Sequence, residues 1–440
     1  MTAERLLSTD EVARRLGVKR ATVYAYVSRG LLGSRRNADG KESLFAEPEV
    51  EAFAATRRRS GPGAETPATQ TGITLIAGGE LFYRGHDVPT MARIQPFESV
   101  ATLLWTGDLG YVALTPDPAL RRLGEAVTAP LPPAARLTDR LRLIVAAAAA
   151  ADPLRFDTSP AAVITTARTM LATMVAALPI RTPDRPGAPS AHPSPGVTAV
   201  PPSGVSAVFP PTGPAVVFPL AEALWRRLTA AAPSAVGVAT LNAALVLLAD
   251  HDLAASTLAA RVAASTRAHP YAVVGAGLAA LDGPLHGAAS GLAYRMLSDA
   301  VHSGDPVATV SDRLRAGAAA PGFGHPLYPN GDPRARALLE MQRRRPGTGM
   351  SSARGGPSSA ETTVADLASA MTQRSGIAPN VDFALAAFAL LNGMDADAGE
   401  AIFAIARTAG WIAHALEEYS DRPSRFRPNG RYAGRLPGAE

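Results

Sequence analysis

Alanine carries most of the apolar weight of this chain, and that choice constrains its fold more than any other feature. Ala is the best helix former, whereas β-branched and aromatic side chains mark strands. Hydrophobic residues make up 47% of the 440 and aromatics only 5%, so the sequence predicts a mainly α protein. A chain this long holds two or three domains with an ample core. Its most apolar run, Leu143 to Ala151, falls well short of the ~20 residues that span a bilayer and reads as a buried helix. No basic stretch followed by an apolar core opens the chain, so no secretory signal is expected. The absence of cysteine excludes disulfides, thiolate metal ligands and cysteine nucleophiles, and fits the expected location, a reducing cytoplasm.

Three stretches break the helical patterning. Residues 1–60 read as a separate winged helix-turn-helix domain, followed by a Gly/Pro/Thr-rich linker at 61–71. Ser8 and Glu11 stand three apart, the capping-box spacing that starts a helix. Val12, Ala13 and Leu16 give that helix one apolar face, and Gly17 ends it. A second helix from Arg20 to Arg29 is expected to turn Val23, Tyr24 and Val27 inward and Thr22, Tyr26 and Arg29 outward. Residues 34–41 look like a wing closed by an Asp39-Gly40 turn. This unit resembles the DNA-binding domain of the MerR and excisionase type. Helix-turn-helix units also serve as plain packing modules, but the basic wing and the run Arg57-Arg58-Arg59 favour nucleic acid. Further on, residues 179–219 hold twelve prolines and little periodicity, and residues 343–359 form a second low-complexity stretch. The phrase beginning at Gly72 alternates apolar and polar residues, as a small hairpin does.

Four phrases in the last 190 residues each set a titratable group among Gly, Pro or small residues. They are Asp250-His251-Asp252-Leu253-Ala254-Ala255-Ser256, Gly283-Pro284-Leu285-His286-Gly287, Gly322-Phe323-Gly324-His325 running on to Asp332-Pro333-Arg334, and Pro379-Asn380-Val381-Asp382. Together they suggest an acid–base site assembled from distant loops and helix ends. A single histidine in an Ala-rich helix is ordinarily a packed or surface side chain, and His302 and His414 are read that way. Asp382 taken alone could be a helix N-cap. Arg407 lies in an apolar run, where an unpaired guanidinium is costly, so an anionic partner is expected.

In this order and at these separations the phrases resemble citrate synthase and its relative 2-methylcitrate synthase. The likeness covers most of 72–440 and includes Tyr83-Arg84-Gly85, the Phe97–Trp105 stretch, Phe403 to Trp411, Arg427-Pro428 and Arg431-Tyr432. It implies a two-domain helical fold over 72–440 with a small subdomain at about 287–395, the proline-rich 179–219 being an insertion. It also implies an enzyme that condenses acetyl-CoA or propionyl-CoA with oxaloacetate. A thioester methyl group is a very weak acid, so a base must remove its proton while a donor steadies the enolate oxygen. By resemblance Asp382 is that base and His286 the donor, with Ser256 fixing its tautomer. His325 protonates the ketone oxygen, and His251 helps hold oxaloacetate. Arg334, Arg407 and Arg427 take the carboxylates, Arg427 reaching across from a partner subunit, so the resemblance implies a homodimer with a shared active site. The backbone of Pro321, Gly322, Phe323 and Gly324 would lie against CoA. No metal or bound cofactor is implied.

The chain departs from the family where Asn is usual and Ala254 and Ser290 stand, and where Arg and Lys are usual and Pro326 and Pro329 stand. The last two remove positive charge near the CoA phosphates; Arg343, Arg344 and Arg345 are candidates to replace it. These departures and the wing motivate the rival expectation, a DNA-binding transcription regulator that uses the same body as a metabolite sensor. The enzyme is favoured, because a sensor has no use for an aspartate base beside two histidines.

Overall fold

The structure, a computed structural model, describes residues 6–16, 18, 20–28, 32–36, 43–51, 70–182, 218–315, 317, 320–343, 359–423 and 425–426. The wing tip, the 57–59 arginine run, residues 183–217, Arg344, Arg345 and Arg427 lie outside the described residues. The chain divides into two compact units, Met1–Gln70 and Thr71–Glu440.

In the first unit β1 (Leu6–Ser8), α1 (Thr9–Leu16), α2 (Arg20–Ser28), β2 (Arg35–Arg36) and β3 (Ser43–Ala46) follow in order. The expected capping box forms: Ser8 N donates to Glu11 Oε2 at 2.8 Å, and Glu11 N donates to Ser8 Oγ at 3.3 Å. β3 is central to an antiparallel sheet of order β1-β3-β2, so the two strands expected to flank the wing do pair. The face of α2 differs from expectation: Tyr24 is 48% exposed, while Tyr26 and Val27 pack beside Val23 on the core. A stripe that starts at Val23 continues at i+3 and i+4, which are 26 and 27, and leaves 24 to one side.

The second unit opens with a meander of β4 (Thr74–Ala77), β5 (Glu80–Tyr83) and β6 (His86–Asp87). Gly78 and Gly79 close the expected hairpin with φ of 61° and 83°, the left-handed pair that a type I′ turn requires. Helices then follow as α3 (Val88–Ile94), α4 (Phe97–Thr106), α5 (Pro118–Thr128), α6 (Leu137–Ala151), α7 (Pro160–Ala176) and α8 (Pro219–Leu228). Next come α9 (Ala235–Leu248), α10 (Ala255–Ser265), α11 (Pro270–Leu281), α12 (Ala289–Ser303) and α13 (Pro306–Arg315). The last four are α14 (Pro333–Arg343), α15 (Ser359–Ser375), α16 (Val381–Leu391) and α17 (Ala398–Ser420). Proline opens six of these helices, at the position whose N–H has no intrahelical partner to lose.

Buried along most of its length, α17 is the axis of the larger core. It is joined to the end of α9 by two donors: Arg407 Nε reaches Leu248 O at 2.9 Å, and Gly410 N reaches Ala249 O at 3.0 Å. Those carbonyls are among the last of α9, which its own helix cannot satisfy. A Cβ at Gly410 would stand 2.4 Å from Ala249 O and Asp250 Oδ1, so only glycine admits this approach. A second, smaller core gathers Ala293, Met296 and Leu297 of α12, Val310 of α13, Leu367 and Met371 of α15, and Phe383 of α16. Val381, Ala384 and Leu385 of α16 pack on the larger core instead, so this helix, which carries Asp382, belongs to both.

Candidate active site

The candidate histidines, Ser256, Arg334 and Asp382 lie in loops or at helix starts, whereas Arg407 lies within α17. His251 follows α9, buried at 7% exposure, with Nε2 2.9 Å from the hydroxyl of Tyr328. His286 lies in the turn between α11 and α12, which is closed by Gly287 N donating to Leu281 O at 2.9 Å. His325 lies before α14 on a short extended segment that pairs with residues 378–380. Gly324 N donates to Ala378 O at 2.9 Å, and Asn380 N to Gly322 O at 2.8 Å. Gly322 and Gly324 both have positive φ, and a Cβ at Gly322 would meet Phe383 at 2.9 Å. The glycines thus let the His325 segment lie directly on the start of α16. Their polar groups go into this pairing, which leaves Pro321 and Phe323 as the expected CoA-facing positions whose backbone it does not use.

The N-cap of α16 is Asn380, whose Oδ1 accepts from Asp382 N at 3.0 Å and Phe383 N at 3.4 Å. Asp382 is therefore not the cap, contrary to the plainer reading of its sequence position. Its Oδ1 is buried and accepts no hydrogen bond among the described residues. Burial pushes this carboxyl up to about 7, against the pull of Arg334, with Asp332 adding to the rise. A carboxyl poised there can exchange a proton at neutral pH.

The imidazoles of His286 and His325 are held as opposite tautomers. Backbone N–H groups can only donate, so a ring nitrogen that receives one carries no hydrogen. Ser256 N points at His286 Nε2 from 3.4 Å and Ser256 Oγ lies 2.8 Å from it, so His286 carries its hydrogen on Nδ1. Leu327 N donates to His325 Nδ1 at 3.2 Å, so His325 carries its hydrogen on Nε2. Burial, helped by the Arg407 charge, lowers His286 to about 4, and burial with Arg334 lowers His325. Both rings are neutral N–H donors near pH 7. His251 is also held toward neutrality, by burial and then by Arg334 and Arg407.

The arginines differ in what they have left to give. Arg334 forms a fork with Asp332, Nε to Oδ1 at 3.0 Å and Nη2 to Oδ2 at 2.8 Å. Arg407 is fully buried, yet its Nη1 and Nη2 find no acceptor among the described residues. Its guanidinium lies 4.7 Å from the ring centre of Phe403, and that ring meets His286 edge-on at 5.6 Å. Two orphaned charged donors cost free energy that an anion would recover. His302 and His414 prove to be satisfied side chains: His302 bonds Ser298 O, and buried His414 lies between Arg261 and Asp250.

His251 feels the charges of Arg334, Arg407, His325 and His286, Ser256 bonds His286, and Asp382 joins this group through Arg334. Arg427 lies outside the described residues. Sequence reasoning missed Tyr328, which touches His251, lies 5.0 Å from the His325 ring and 5.5 Å from the Arg334 guanidinium. It also gave no role to Asp332, whose Oδ2 accepts both from Arg334 and from Val381 N at 3.0 Å, tying Arg334 to the base of the Asp382 helix. The one available signal was position, an aromatic three residues after His325 and an acid two before Arg334. A cleft of ≈ 250 Å³ opens between the His325 segment and residues 376–380, lined by Tyr328, Pro329 and Ile377 among others. Among the described residues no cluster of acids and histidines could hold a metal ion, and no helix is long and apolar enough to cross a membrane.

These features define a cluster of titratable groups in a helical fold with two unpaired cationic donors, and comparison with known proteins supplies the family. The citrate synthase C-terminal domain profile matches residues 63–429, and a helix-turn-helix domain profile matches residues 6–58. The chain belongs to the citrate synthase family. It is 30% identical over 417 residues to a 2-methylcitrate synthase of Mycobacterium tuberculosis, covering 92% of this chain and 97% of that protein. It is 39% identical over 203 residues to a citrate synthase of Haloferax volcanii, covering 46% of this chain and 52% of that one. The chain therefore spans about half the length of the latter relative. The fold is shared with a citrate synthase of Thermoplasma acidophilum solved as a ternary complex with carboxymethyl coenzyme A and oxaloacetate. That match has a TM-score of 0.62 at 22% identity and covers 84% of this chain and 95% of that one.

Proposed function

We propose that this protein condenses an acyl-CoA, acetyl or propionyl, with oxaloacetate to give citrate or 2-methylcitrate and free CoA. The observation that carries the proposal is the buried Oδ1 of Asp382, without a hydrogen-bond donor among the described residues and within the field of Arg334, in a site that also holds two neutral imidazoles of opposite tautomer. Asp382 removes a proton from the carbon next to the thioester carbonyl. Nδ1–H of His286 donates to the carbonyl oxygen as it gains enolate character, and a neutral donor suits it because no proton need be fully transferred. The enol carbon attacks the ketone carbon of oxaloacetate, and His325 Nε2–H delivers a proton to the oxygen that becomes the alcohol. Water then hydrolyses the thioester, releasing CoA.

The free donors of Arg407, the remaining edge of Arg334 and, by family likeness, Arg427 of a partner subunit take the two carboxylates. On this reading the protein acts as a homodimer with no metal or prosthetic group, in the cytoplasm. CoA lies along Pro321–Gly324. Residues 72–440 form the catalytic body, with a small subdomain at about 287–395 corresponding to the second core, and 61–71 link it to a helix-turn-helix domain at 1–60. Purified protein mixed with oxaloacetate and each acyl-CoA should release free thiol; no release with either substrate refutes the proposal.

A second activity is favoured by one observation in the N-terminal unit, the β2–β3 hairpin that places Arg35 and Arg36 at the root of the wing. DNA binding there should weaken steeply as salt rises. Absence of binding at low salt removes that role, and with it the metabolite-sensing regulator, without touching the enzymatic one.

A further inference from the structure

Tyr328 is buried at 2% exposure, and its hydroxyl makes one hydrogen bond among the described residues, to Nε2 of His251 at 2.9 Å. Its ring is also the shared neighbour of His325 and Arg334. A buried phenol hydrogen without an acceptor is unfavourable. Were Nε2 of His251 the donor, the Tyr328 hydrogen would be left in that position. With the phenol donating, both groups are satisfied, and His251 must carry its own hydrogen on Nδ1. That nitrogen makes no hydrogen bond among the described residues, so it is left for a ligand. A ring N–H attracts a ketone or carboxylate oxygen, whereas the lone pair of the other tautomer repels it.

We propose that Tyr328 is a positioning residue that fixes His251 in the Nδ1–H form and so builds a donor for the keto-dicarboxylate. This rests on the proposed condensation only for the identity of that ligand. Tyr328 keeps its own place through the Tyr328 N to His325 O bond at 3.0 Å, so the residue that orients His251 is anchored to the segment that carries His325. One side chain thereby sets two of the three site histidines relative to each other.

The test pairs spectroscopy with kinetics. In 15N-histidine-labelled protein, the resonances of His251, assigned by their loss in His251→Gln, should show a bare Nε2 and a protonated Nδ1. Tyr328→Phe keeps the ring packing and should yield mixed tautomers at His251. Its KM for oxaloacetate should rise roughly tenfold, the loss of ~1.4 kcal/mol of binding, with kcat little changed. A wild-type His251 protonated on Nε2, or a Tyr328→Phe enzyme with unchanged KM, overturns the inference. Wild-type protein that releases no thiol refutes the condensation instead, and the NMR measurement then still decides the tautomer.

Discussion

Ser256 meets His286 twice at the same atom: its hydroxyl oxygen lies 2.8 Å from Nε2, and its backbone N–H points there from 3.4 Å. The same hydroxyl oxygen accepts from the indole nitrogen of Trp411 at 3.3 Å. A hydroxyl that accepts from one side and donates to the other holds the imidazole firmly, and the backbone contact alone is longer and weaker. Ser256→Ala should lower kcat roughly tenfold, about the 1.4 kcal/mol of one good hydrogen bond. It should also destabilise the fold by about 1–3 kcal/mol, because the buried indole N–H loses its acceptor. Steady-state kinetics and urea unfolding read the two effects separately.

Asp382 predicts a pH dependence of opposite sign for activity and stability. The base must be ionised, so kcat should climb as pH rises through about 7. Its folded-state value is raised above the unfolded one, so the stability tied to its proton is complete below about 4. That stability is lost as pH rises through about 7. Asp382→Asn should abolish turnover by a factor of about 10²–10⁴. Its unfolding midpoint should exceed the wild type's at pH 8.5, and the gap should close on acidification toward pH 4.

Arg407 makes dicarboxylate binding visible in thermal unfolding. A ligand that satisfies Nη1 and Nη2 stabilises the native state only. Oxaloacetate at about 100 times its Kd should therefore add about 2.7 kcal/mol to wild-type stability. In Arg407→Met that shift should vanish. A shift of similar size in the variant would show that the anion sits elsewhere.

Pro326 and Pro329 are both exposed, so charge can be restored there without disturbing the core. The double change Pro326→Arg and Pro329→Lys should lower KM for acyl-CoA several-fold at low ionic strength. The gain should fade above about 0.5 M salt, where exposed charges are screened within a few ångströms. Equal KM values at low salt would mean that the CoA phosphates lie away from this loop.

Ala254 occupies the N-cap of α10 with φ −58° and ψ 160°, and offers no side-chain acceptor. Ala254→Asn places one there and should stabilise the protein by about 1 kcal/mol, measured as a higher urea midpoint. The other departure, Ser290, has a different cause. A Cβ at Gly399 would lie 2.7 Å from Ser290 Oγ, so α12 and α17 approach too closely there for asparagine at 290 without a shift.

The helical class, a small hairpin after Gly72 and the capping box of Ser8 and Glu11 were legible in the sequence, as were the candidate groups now found near one another. These are local properties: propensity, turn stereochemistry and phrases in which glycine and proline fix the backbone around one reactive side chain. Periodicity over nine residues was too short a record to orient α2, and so Tyr24 and Tyr26 exchanged places. The protonation chemistry comes from contacts between distant segments. Whether Asp382 is a cap or a base depends on Asn380 capping first and on burial that leaves Oδ1 without a donor. Which nitrogen of His286 or His325 carries hydrogen depends on backbone N–H groups of Ser256 and Leu327. Tyr328 and Asp332 act through partners as far as 77 residues away in sequence, and no local pattern records such a contact. Residue type sets what a side chain can do, while desolvation and hydrogen-bond partners, assembled from distant segments, set which of those things it does.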